Sequence, residues 1–359
     1  MIYKFSEILT IKNGKNQKKI ENPFGKYPIY GSGGIIGYGN DYICDKNTII
    51  IGRKGNINKP LYVEEPFWNV DTAFGLVANI NILFPKYLYY FCVKYNFEKL
   101  NTTVTIPSLT KTNLLDIKIN LPDLSEQKKI SNILDKILKI LEIKKQQFSE
   151  LDKLVKFQFL KMFGDPVSNI FNFQKCKIKD VALKKLMYGS GSSAIEFNNE
   201  IRYIRITDID FLGNLKSEKV SPSLFEEKYL LNDGDVLFAR SGATVGKTFH
   251  FKKSYGKCIF AGYLIRLVPN QSKVLPEYLF YFTKTDFYDN FIKSNSKTVA
   301  QPNINAQQYE SLDILIPPIE LQNKFADFVK QVDKSKFELQ KSIDETQLLF
   351  DSLMDKYFG

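Results

Sequence analysis

An internal duplication limits the possible folds of this chain more than any other feature of the sequence. Two segments align without a gap at one constant offset, up to the last residue of the chain. The aligned landmarks are Pro107-Ser108-Leu109-Thr110 with Pro302-Asn303-Ile304-Asn305, Leu121-Pro122 with Ile316-Pro317, Gln127 with Gln322, and Met162-Phe163-Gly164 with Tyr357-Phe358-Gly359. A fixed register over this length indicates a repeat, so the chain contains one structural plan twice.

Each copy predicts a short strand that ends at proline, followed by a long helix. The strand-like runs are Leu115-Asp116-Ile117-Lys118-Ile119 and Leu312-Asp313-Ile314-Leu315-Ile316. The helical runs carry apolar residues at alternating spacings of four and three, interrupted by Lys144 in the first copy and by Lys336 and Thr346 in the second. The predicted pairing residues are Ile130, Leu134, Ile137, Leu141, Phe148, Leu151 and Val155, and Phe325, Val329, Val332, Leu339, Ile343 and Phe350.

The two helical runs are long enough to pair with each other. A helix of roughly forty residues extends about 60 Å, which exceeds what a single domain of this size needs. The first run, Ser125 to Phe163, has a net charge of +4, and the second, Glu320 to Phe358, has −2. We therefore expect an antiparallel pair of helices, with the globular part attached to each helix at opposite ends of the pair.

The globular parts lie upstream of each helix and share landmarks. A strand enters a basic turn in Ile49-Ile50-Ile51-Gly52-Arg53 and again in Val236-Leu237-Phe238-Ala239-Arg240. The aromatic runs Phe84 to Phe91 and Leu275 to Phe282 predict core helices. We predict four segments: a recognition domain at 1–120, a central helix at 121–164, a second recognition domain at 165–316, and a distal helix at 317–359. The fold class is α+β.

Composition excludes several classes of protein. The net charge is +11, of which the globular parts carry +9, and this favours a nucleic-acid partner. The four cysteines form no C-x-x-C pair, and a single histidine, His250, leaves no partner for a histidine-based triad or metal site. No apolar run approaches the length of a membrane span, so we expect a cytoplasmic protein with no membrane association.

Three catalytic motifs are present only in part. Ser241 to Thr248 resembles a phosphate-binding loop but has Ser241 where the motif requires glycine. Asp123, Glu142 and Lys144 fit a loose nuclease pattern, but a helix points neighbours two apart to different faces. No Asn/Asp-Pro-Pro-aromatic motif of a methyltransferase occurs. We predict a chain that is not an enzyme, with no catalytic residue, metal ion or cofactor of its own.

Polar, glycine-rich loops beside arginine and aromatic residues remain as candidate DNA-binding elements. Arginine pairs with guanine, Asn or Gln with adenine, and Lys, Ser and glycine backbone with phosphate. The candidates are Tyr30, Ser32, Gly33, Arg53, Lys54, Lys59 and Thr72 in the first globular part, and Tyr188, Ser190, Ser192, Arg202, Arg205, Thr207, Arg240, Ser241, Thr244, Lys247, Gln301 and Asn303 in the second.

These residues, in this order and duplicated, resemble the specificity subunits of type I restriction–modification systems over essentially the full chain. The stretches that carry the resemblance are Tyr30 to Gly37, Ile51 to Gly55, Gly234 to Gly242, Leu121 to Gln127 and Leu160 to Pro166. The resemblance implies two target-recognition domains on double-stranded DNA, each reading half of a split site, and an antiparallel helix pair that sets the unread spacer. It also implies two modification (methyltransferase) subunits with S-adenosylmethionine and a restriction (motor-nuclease) subunit with ATP and Mg²⁺.

Two alternatives remain open from the sequence. The first is the DNA-recognition subunit of another methylation-based system, of type II or for phage defence, which neighbouring genes would distinguish. The second is a coiled-coil scaffold that does not bind DNA, for which sequence-selective DNA affinity would be absent.

Overall fold

The computed structural model describes residues 1–100, 108–296 and 302–359. It divides into two compact units. Unit 1 consists of Met1–Gln146 and Gln340–Gly359, and unit 2 of Gln147–Leu339. Each unit therefore contains one globular part and a segment of each long helix, which is a different division from the four segments predicted along the sequence.

Unit 1 is built around an antiparallel four-stranded sheet in the order β2-β8-β5-β6, with a smaller sheet β4-β3-β7 and a pair β1-β9. Its elements are β1 (Ile2–Lys4), α1 (Phe5–Ile8), β2 (Leu9–Asn13), β3 (Tyr27–Gly31), β4 (Gly34–Gly39), β5 (Thr48–Gly52), β6 (Leu61–Val63), β7 (Trp68–Asn69), β8 (Ala73–Ala78), α2 (Pro85–Lys94), α3 (Lys111–Leu115), β9 (Lys118–Asn120) and the start of α4 (Leu124–Phe163).

Unit 2 repeats this plan with a four-stranded sheet in the order β11-β18-β15-β16 and a pair β10-β19, and adds the pairs β12-β14 and β13-β17. Its elements are β10 (Gln174–Lys177), α5 (Ile178–Val181), β11 (Met187–Tyr188), β12 (Ala194–Glu196), β13 (Arg202–Ile204), β14 (Val220–Pro222), β15 (Val236–Ala239), β16 (Thr248–His250), β17 (Cys258–Phe260), β18 (Leu264–Leu267), α6 (Pro276–Phe282), α7 (Asp286–Ser296), α8 (Ala306–Glu310), β19 (Asp313–Ile316) and the start of α9 (Ile319–Phe358).

One predicted strand is shorter than expected. The run Leu115 to Ile119 begins as the last residue of α3, and the strand β9 starts only at Lys118. The Thr110 side chain accepts a hydrogen bond from the Asn113 backbone and so caps α3, which gives the helix a start that the apolar pattern alone did not indicate. The counterpart β19 begins at Asp313, as predicted to within one residue.

The two aromatic helices are confirmed as core elements. Tyr87, Leu88 and Tyr90 of α2 are buried in unit 1, and Tyr278 and Phe282 of α6 are buried in unit 2. Each helix begins at a proline in its first turn, where a missing N–H costs nothing.

The long helices pair in an antiparallel direction, and this confirms the predicted fold class. In unit 1 the Lys144 ammonium donates to Ser342 Oγ at 2.7 Å and to Thr346 Oγ1 at 2.7 Å. In unit 2 Lys336 donates to Asp152 Oδ1 at 2.7 Å. Residue numbers rise along one helix as they fall along the other, and the polar residues that interrupt the apolar seam contact polar residues on the partner helix.

Every predicted pairing residue is buried or half-buried. The seam extends further than predicted, because Phe159, Phe163 and Met354 are also buried. In unit 2, Val155 and Phe325 also belong to the core of the globular part, with Phe163 and Phe325 rings 5.4 Å apart. The seam residues near the ends of the helices therefore stabilise the globular parts as well as the helix pair.

Each helix start is anchored by a buried glutamine at the same place in the repeat. Gln127 accepts from the Phe84 backbone N–H at 2.8 Å and donates to the Ile82 and Pro122 carbonyls at 3.0 and 2.9 Å. Gln322 accepts from Leu275 at 2.8 Å and donates to Lys273 and Pro317 at 3.0 and 2.9 Å. One side chain thereby forms hydrogen bonds with the backbone of two loops, the loop before the aromatic helix and the proline loop before the long helix.

We expect Gln322→Met to destabilise the protein by about 2–4 kcal/mol, because one N–H and two carbonyls lose their partners in a buried site. The free energy of unfolding in urea measures this loss. The matched control is Gln331→Met on the exposed face of α9, for which we expect less than about 0.5 kcal/mol. Equal losses for the two variants would show that the buried hydrogen bonds contribute nothing specific.

The Lys336–Asp152 pair should behave as a partly buried ion pair, because the two side chains are only 15% and 23% exposed. Asp152→Leu leaves the ammonium unpaired, and we expect a loss of about 2 kcal/mol. Asp152→Leu combined with Lys336→Leu should recover most of it, because apolar residues suit a helix seam. A double-mutant cycle of unfolding free energies checks this, and strict additivity of the two changes would contradict it.

Candidate nucleic-acid interface

In unit 1 a tight hairpin lies against the loop that follows strand β5. Gly31 and Gly34 are paired across β3 and β4, so Ser32 and Gly33 form a two-residue turn. A side chain at Gly52 would come within 2.4 Å of the Asn56 carbonyl and 3.0 Å of Ser32 Cβ. Glycine at this position allows the two loops to approach closely.

The backbone of Arg53 is held on both sides. Its N–H donates to the Thr72 carbonyl at 2.8 Å, and its carbonyl accepts from the Leu109 N–H at 2.9 Å. The next residue, Lys54, forms a β-bridge with Ser108. The Arg53 guanidinium lies over the Phe74 ring, 5.7 Å from its centroid.

Most of the candidates in unit 1 therefore converge on one surface. Arg53, Lys54, Gly33 and Thr72 are exposed there, and Lys59 is exposed further along the same loop. Tyr30 differs, because its ring packs edge-on against Phe67 at 5.4 Å and burial raises the pKa of its hydroxyl. Its contribution to the surface is its position beside the turn, with its ring half-buried.

Unit 2 contains the same arrangement around Arg240. The Arg240 N–H donates to the Tyr263 carbonyl at 3.0 Å, and its carbonyl accepts from the Ile304 N–H at 2.8 Å. Ser241 forms a β-bridge with Asn303. The Arg240 guanidinium lies 4.8 Å from the Tyr188 ring centroid, and the Tyr188 hydroxyl accepts from the Ala306 N–H at 3.0 Å.

The loop after Arg240 closes on itself. Thr244 Oγ1 donates to the Ser241 carbonyl at 2.8 Å, and the loop turns through a short 3₁₀ segment, Gly242–Thr244, before β16 begins. Ser241 and Thr244 are half-buried, and Asn303 is exposed. Gln301 lies outside the described residues.

A second group of candidates in unit 2 lines a cleft of about 580 Å³. Ser190, Ser192, Arg205 and Thr207 contribute to its wall, together with Tyr263. The Arg205 guanidinium is fixed by Asp208, which accepts from Nε at 3.0 Å and from Nη2 at 2.8 Å. Thr207 is exposed beside it.

Three of the predicted DNA-binding residues have polar groups that are engaged within the fold. Arg202 is 7% exposed, and its Nη2 donates to the Lys216 and Glu218 carbonyls at 2.6 and 3.2 Å. Lys247 donates to the Ile209 carbonyl at 2.7 Å, and burial lowers the pKa of its ammonium. Ser190 is buried, and its hydroxyl accepts from the Ser192 N–H at 3.1 Å.

Tyr263 belongs to the same surface but was not predicted from the sequence. Its side chain is exposed, it lines the cleft in unit 2, and its carbonyl holds Arg240. Thr72, which was predicted, has the same position before β8 that Tyr263 has before β18. Extending the repeat alignment into the globular parts would have revealed Tyr263 by this correspondence.

The residues that the catalytic motifs would use have structural roles or are buried. His250 is buried, and burial lowers the pKa of its imidazole to about 4. Asp123 accepts a hydrogen bond from the Glu126 N–H at 2.9 Å and so caps α4. Within residues 1–100, 108–296 and 302–359, no cluster of three or more His, Cys, Asp or Glu is arranged to hold a metal ion. None of the helices in these ranges is both long and apolar enough to cross a bilayer.

Comparison with known proteins identifies relatives along the whole chain. The family model of the type I restriction modification DNA specificity domain matches residues 1–153 and 172–346. The type I restriction enzyme MjaVIII specificity subunit of Methanocaldococcus jannaschii is 24% identical, over 82% of this chain and 74% of that protein. The type I restriction enzyme EcoBI specificity subunit of Escherichia coli is 21% identical, over 99% of this chain and 82% of that protein.

A solved structure also matches the fold. The crystal structure of the type I restriction–modification S subunit from M. genitalium superposes with a TM-score of 0.64 at 16% identity, over 100% of this chain and 96% of that one. These relatives are named as specificity subunits, which are the non-catalytic recognition subunits of restriction–modification enzymes. Membership of the family implies recognition of DNA sequence. With both of its repeats matched, this chain belongs to the family of type I restriction–modification DNA specificity subunits.

Proposed function

We propose that this chain recognises a bipartite target on double-stranded DNA, with one half-site for each recognition domain, and directs methylation and restriction by partner subunits. Residues 1–120 and 165–316 are the two proposed recognition domains. The observation that carries the proposal is the repeated frame around the basic loop, which follows β5 in unit 1 and β15 in unit 2. A chain that builds the same surface twice is suited to a target with two parts.

Charge supports DNA as the ligand of these surfaces. The globular parts carry a net charge of +9, whereas the two long helices together carry +2. Positive charge on glycine- and serine-rich loops complements the phosphate backbone, which supplies most of the sequence-independent affinity of DNA-binding proteins. A scaffold that binds no nucleic acid would have no need for this distribution.

We assign the spacer between the half-sites to the paired helices, residues 121–164 and 317–359. Hydrogen bonds from Lys144 to Thr346 and from Lys336 to Asp152 fix the register of the pair, because a shift of either helix would leave these groups unpaired in the seam. A helix pair that allows a single register has a fixed length, and a fixed length suits a spacer of defined size.

The same helices carry an apolar surface on which partner subunits could dock. Large apolar side chains remain exposed there, among them Phe157 at 63%, Phe337 at 69% and Leu348 at 68%. Exposed apolar residues on a structured surface are typical of protein–protein contacts. We propose that two modification (methyltransferase) subunits bind these helices and that a restriction (motor-nuclease) subunit joins the assembly in the cytoplasm. S-adenosylmethionine, ATP and Mg²⁺ then belong to the partners, and this chain holds no cofactor.

Exchanging residues 1–120 for the first recognition domain of another specificity subunit should change one half-site and leave the other unchanged. The measurement is methylation profiling of host DNA, in cells that carry the modification subunit with the wild-type or the exchanged chain. Cells without this chain are the control and should lack the methylated motif. Changes in both half-sites would refute the assignment of one half-site to each domain.

Inserting seven residues after Gln146 and seven after Leu339 should lengthen the spacer by about three base pairs, because seven helical residues add about 10 Å and one base pair about 3.4 Å. Both insertions preserve the Lys144–Thr346 and Lys336–Asp152 contacts within their units. The methylated motif reports the new spacer. An insertion in one helix alone should abolish methylation, and an unchanged spacer in the double insertion would refute the role of the helices.

A further inference from the structure

Arginine is rare in this chain, and the few arginines fall into two groups. The sequence contains 50 Lys and Arg residues, of which only five are Arg. Three are engaged within the fold: Arg202 by backbone carbonyls, Arg205 by Asp208, and Arg266 by the Leu230 carbonyl at 2.7 Å. The other two are Arg53 and Arg240, one in each unit.

Arg53 and Arg240 are structural equivalents. Each directly follows one of the two inner strands of its four-stranded sheet, β5 or β15. The backbone N–H and the backbone carbonyl of each arginine are both hydrogen-bonded to other backbone groups. The partners also correspond: Thr72 and Tyr263 directly precede β8 and β18, and Leu109 and Ile304 are aligned in the repeat. The backbone therefore holds the two arginines in the same way.

Each of the two guanidinium groups lies over an aromatic ring. Arg53 lies over Phe74 and Arg240 over Tyr188. Neither guanidinium has a hydrogen bond or ion pair with any residue that the structure describes, and Arg240 Nε is buried without a partner. An arginine fixed by stacking presents a planar fork of donors at little further cost in side-chain entropy.

The two aromatic rings belong to different strands, so the stacking arrangement is preserved although the residue that provides the ring is not. Phe74 lies in β8, whereas Tyr188 lies in β11, which pairs with the strand equivalent to β8. The two units thus reach one arrangement, a stacked and otherwise unpaired guanidinium, through different residues. A feature preserved in this way is better explained by a common ligand group than by packing alone.

We propose that Arg53 and Arg240 each bind a phosphate of the DNA backbone beside one half-site. Phe74 and Tyr188 are the positioning residues for these two arginines. The inference rests on the proposed function. A residue and geometry shared by both domains cannot distinguish one half-site from the other, whereas phosphate is common to every sequence. The guanidinium fork matches phosphate oxygens with two parallel hydrogen bonds.

The test measures DNA binding by the full chain in complex with its modification subunits. The probes are a fluorescent duplex carrying the motif found by methylation profiling and a series of duplexes that each change one base pair of either half-site. Titrations between 50 and 200 mM salt give the affinity and its salt dependence. For Arg240→Ala and for Arg53→Ala we expect about tenfold weaker binding to every duplex. The slope of log affinity against log salt should fall by about 1, and the penalty for each base change should stay at the wild-type value.

Two further variants separate positioning from folding and from loss of charge. Tyr188→Leu removes the stacking and should lower both affinity and salt slope toward the Arg240→Ala values. Tyr188→Phe retains the ring but loses the hydroxyl that accepts from the Ala306 N–H, and it should lose less of the affinity and of the salt slope than Tyr188→Leu does. Lys175→Ala is the charge control, because Lys175 is exposed on β10, outside the sheet that precedes Arg240, and pairs with Asp313. We expect it to change affinity by less than about twofold.

The outcomes against the inference are distinct from those against the proposed function. If Arg240→Ala removes the penalty at one base pair and leaves the others intact, Arg240 reads a base and the inference is wrong. Unchanged affinity and salt slope in both arginine variants would also overturn it. If the wild-type complex itself binds all duplexes equally, the proposed function fails, and the inference that rests on it fails with it.

Discussion

The attachment of each long helix to its globular part depends on one buried amide. Gln127 and Gln322 each bond three backbone groups. Two of these groups lie in the loop before an aromatic helix, and the third lies in the proline loop before a long helix. Since Gln127 and Gln322 are fully buried, these backbone groups are satisfied when the two loops meet at the glutamine. The direction in which each helix leaves its globular part is therefore fixed by hydrogen bonds, while apolar packing supplies most of the stabilisation.

The long helices were predictable from the sequence, whereas the reason for their interruptions was not. A sustained apolar spacing of three and four residues defines a helical face from local information alone, and α4 and α9 follow it closely. Lys144 and Lys336 break that spacing, and their partners lie on the other helix, far away in the sequence. A pattern along one segment contains no information about such a partner, so the polar contacts that set the register became apparent only from the structure.

The candidate surface was predictable as a set of loops but not residue by residue. Turn residues and the repeated basic loop located the region, because glycine at a close approach such as Gly52 is a local requirement. The fate of each side chain depends on its neighbours in space. Arg202 and Arg240 look alike in the sequence, yet Arg202 Nη2 bonds carbonyls of its own domain and the Arg240 guanidinium stacks on Tyr188. Burial and partners, which distinguish them, are tertiary properties.

Under the proposed function, the backbone frame around each arginine would let one scaffold serve two different half-sites. Thr72 and Tyr263 hold Arg53 and Arg240 through their carbonyls alone, so their side chains are free to differ without moving the arginine. Ser108 and Asn303 meet Lys54 and Ser241 through β-bridges at corresponding places in the two units. Phosphate contacts fix the register of a protein on the duplex, and base contacts specify the sequence. A frame that fixes phosphate contacts through the backbone leaves base contacts to side chains that can change independently, and the two halves of this chain have different side chains at these positions, Thr72 and Tyr263.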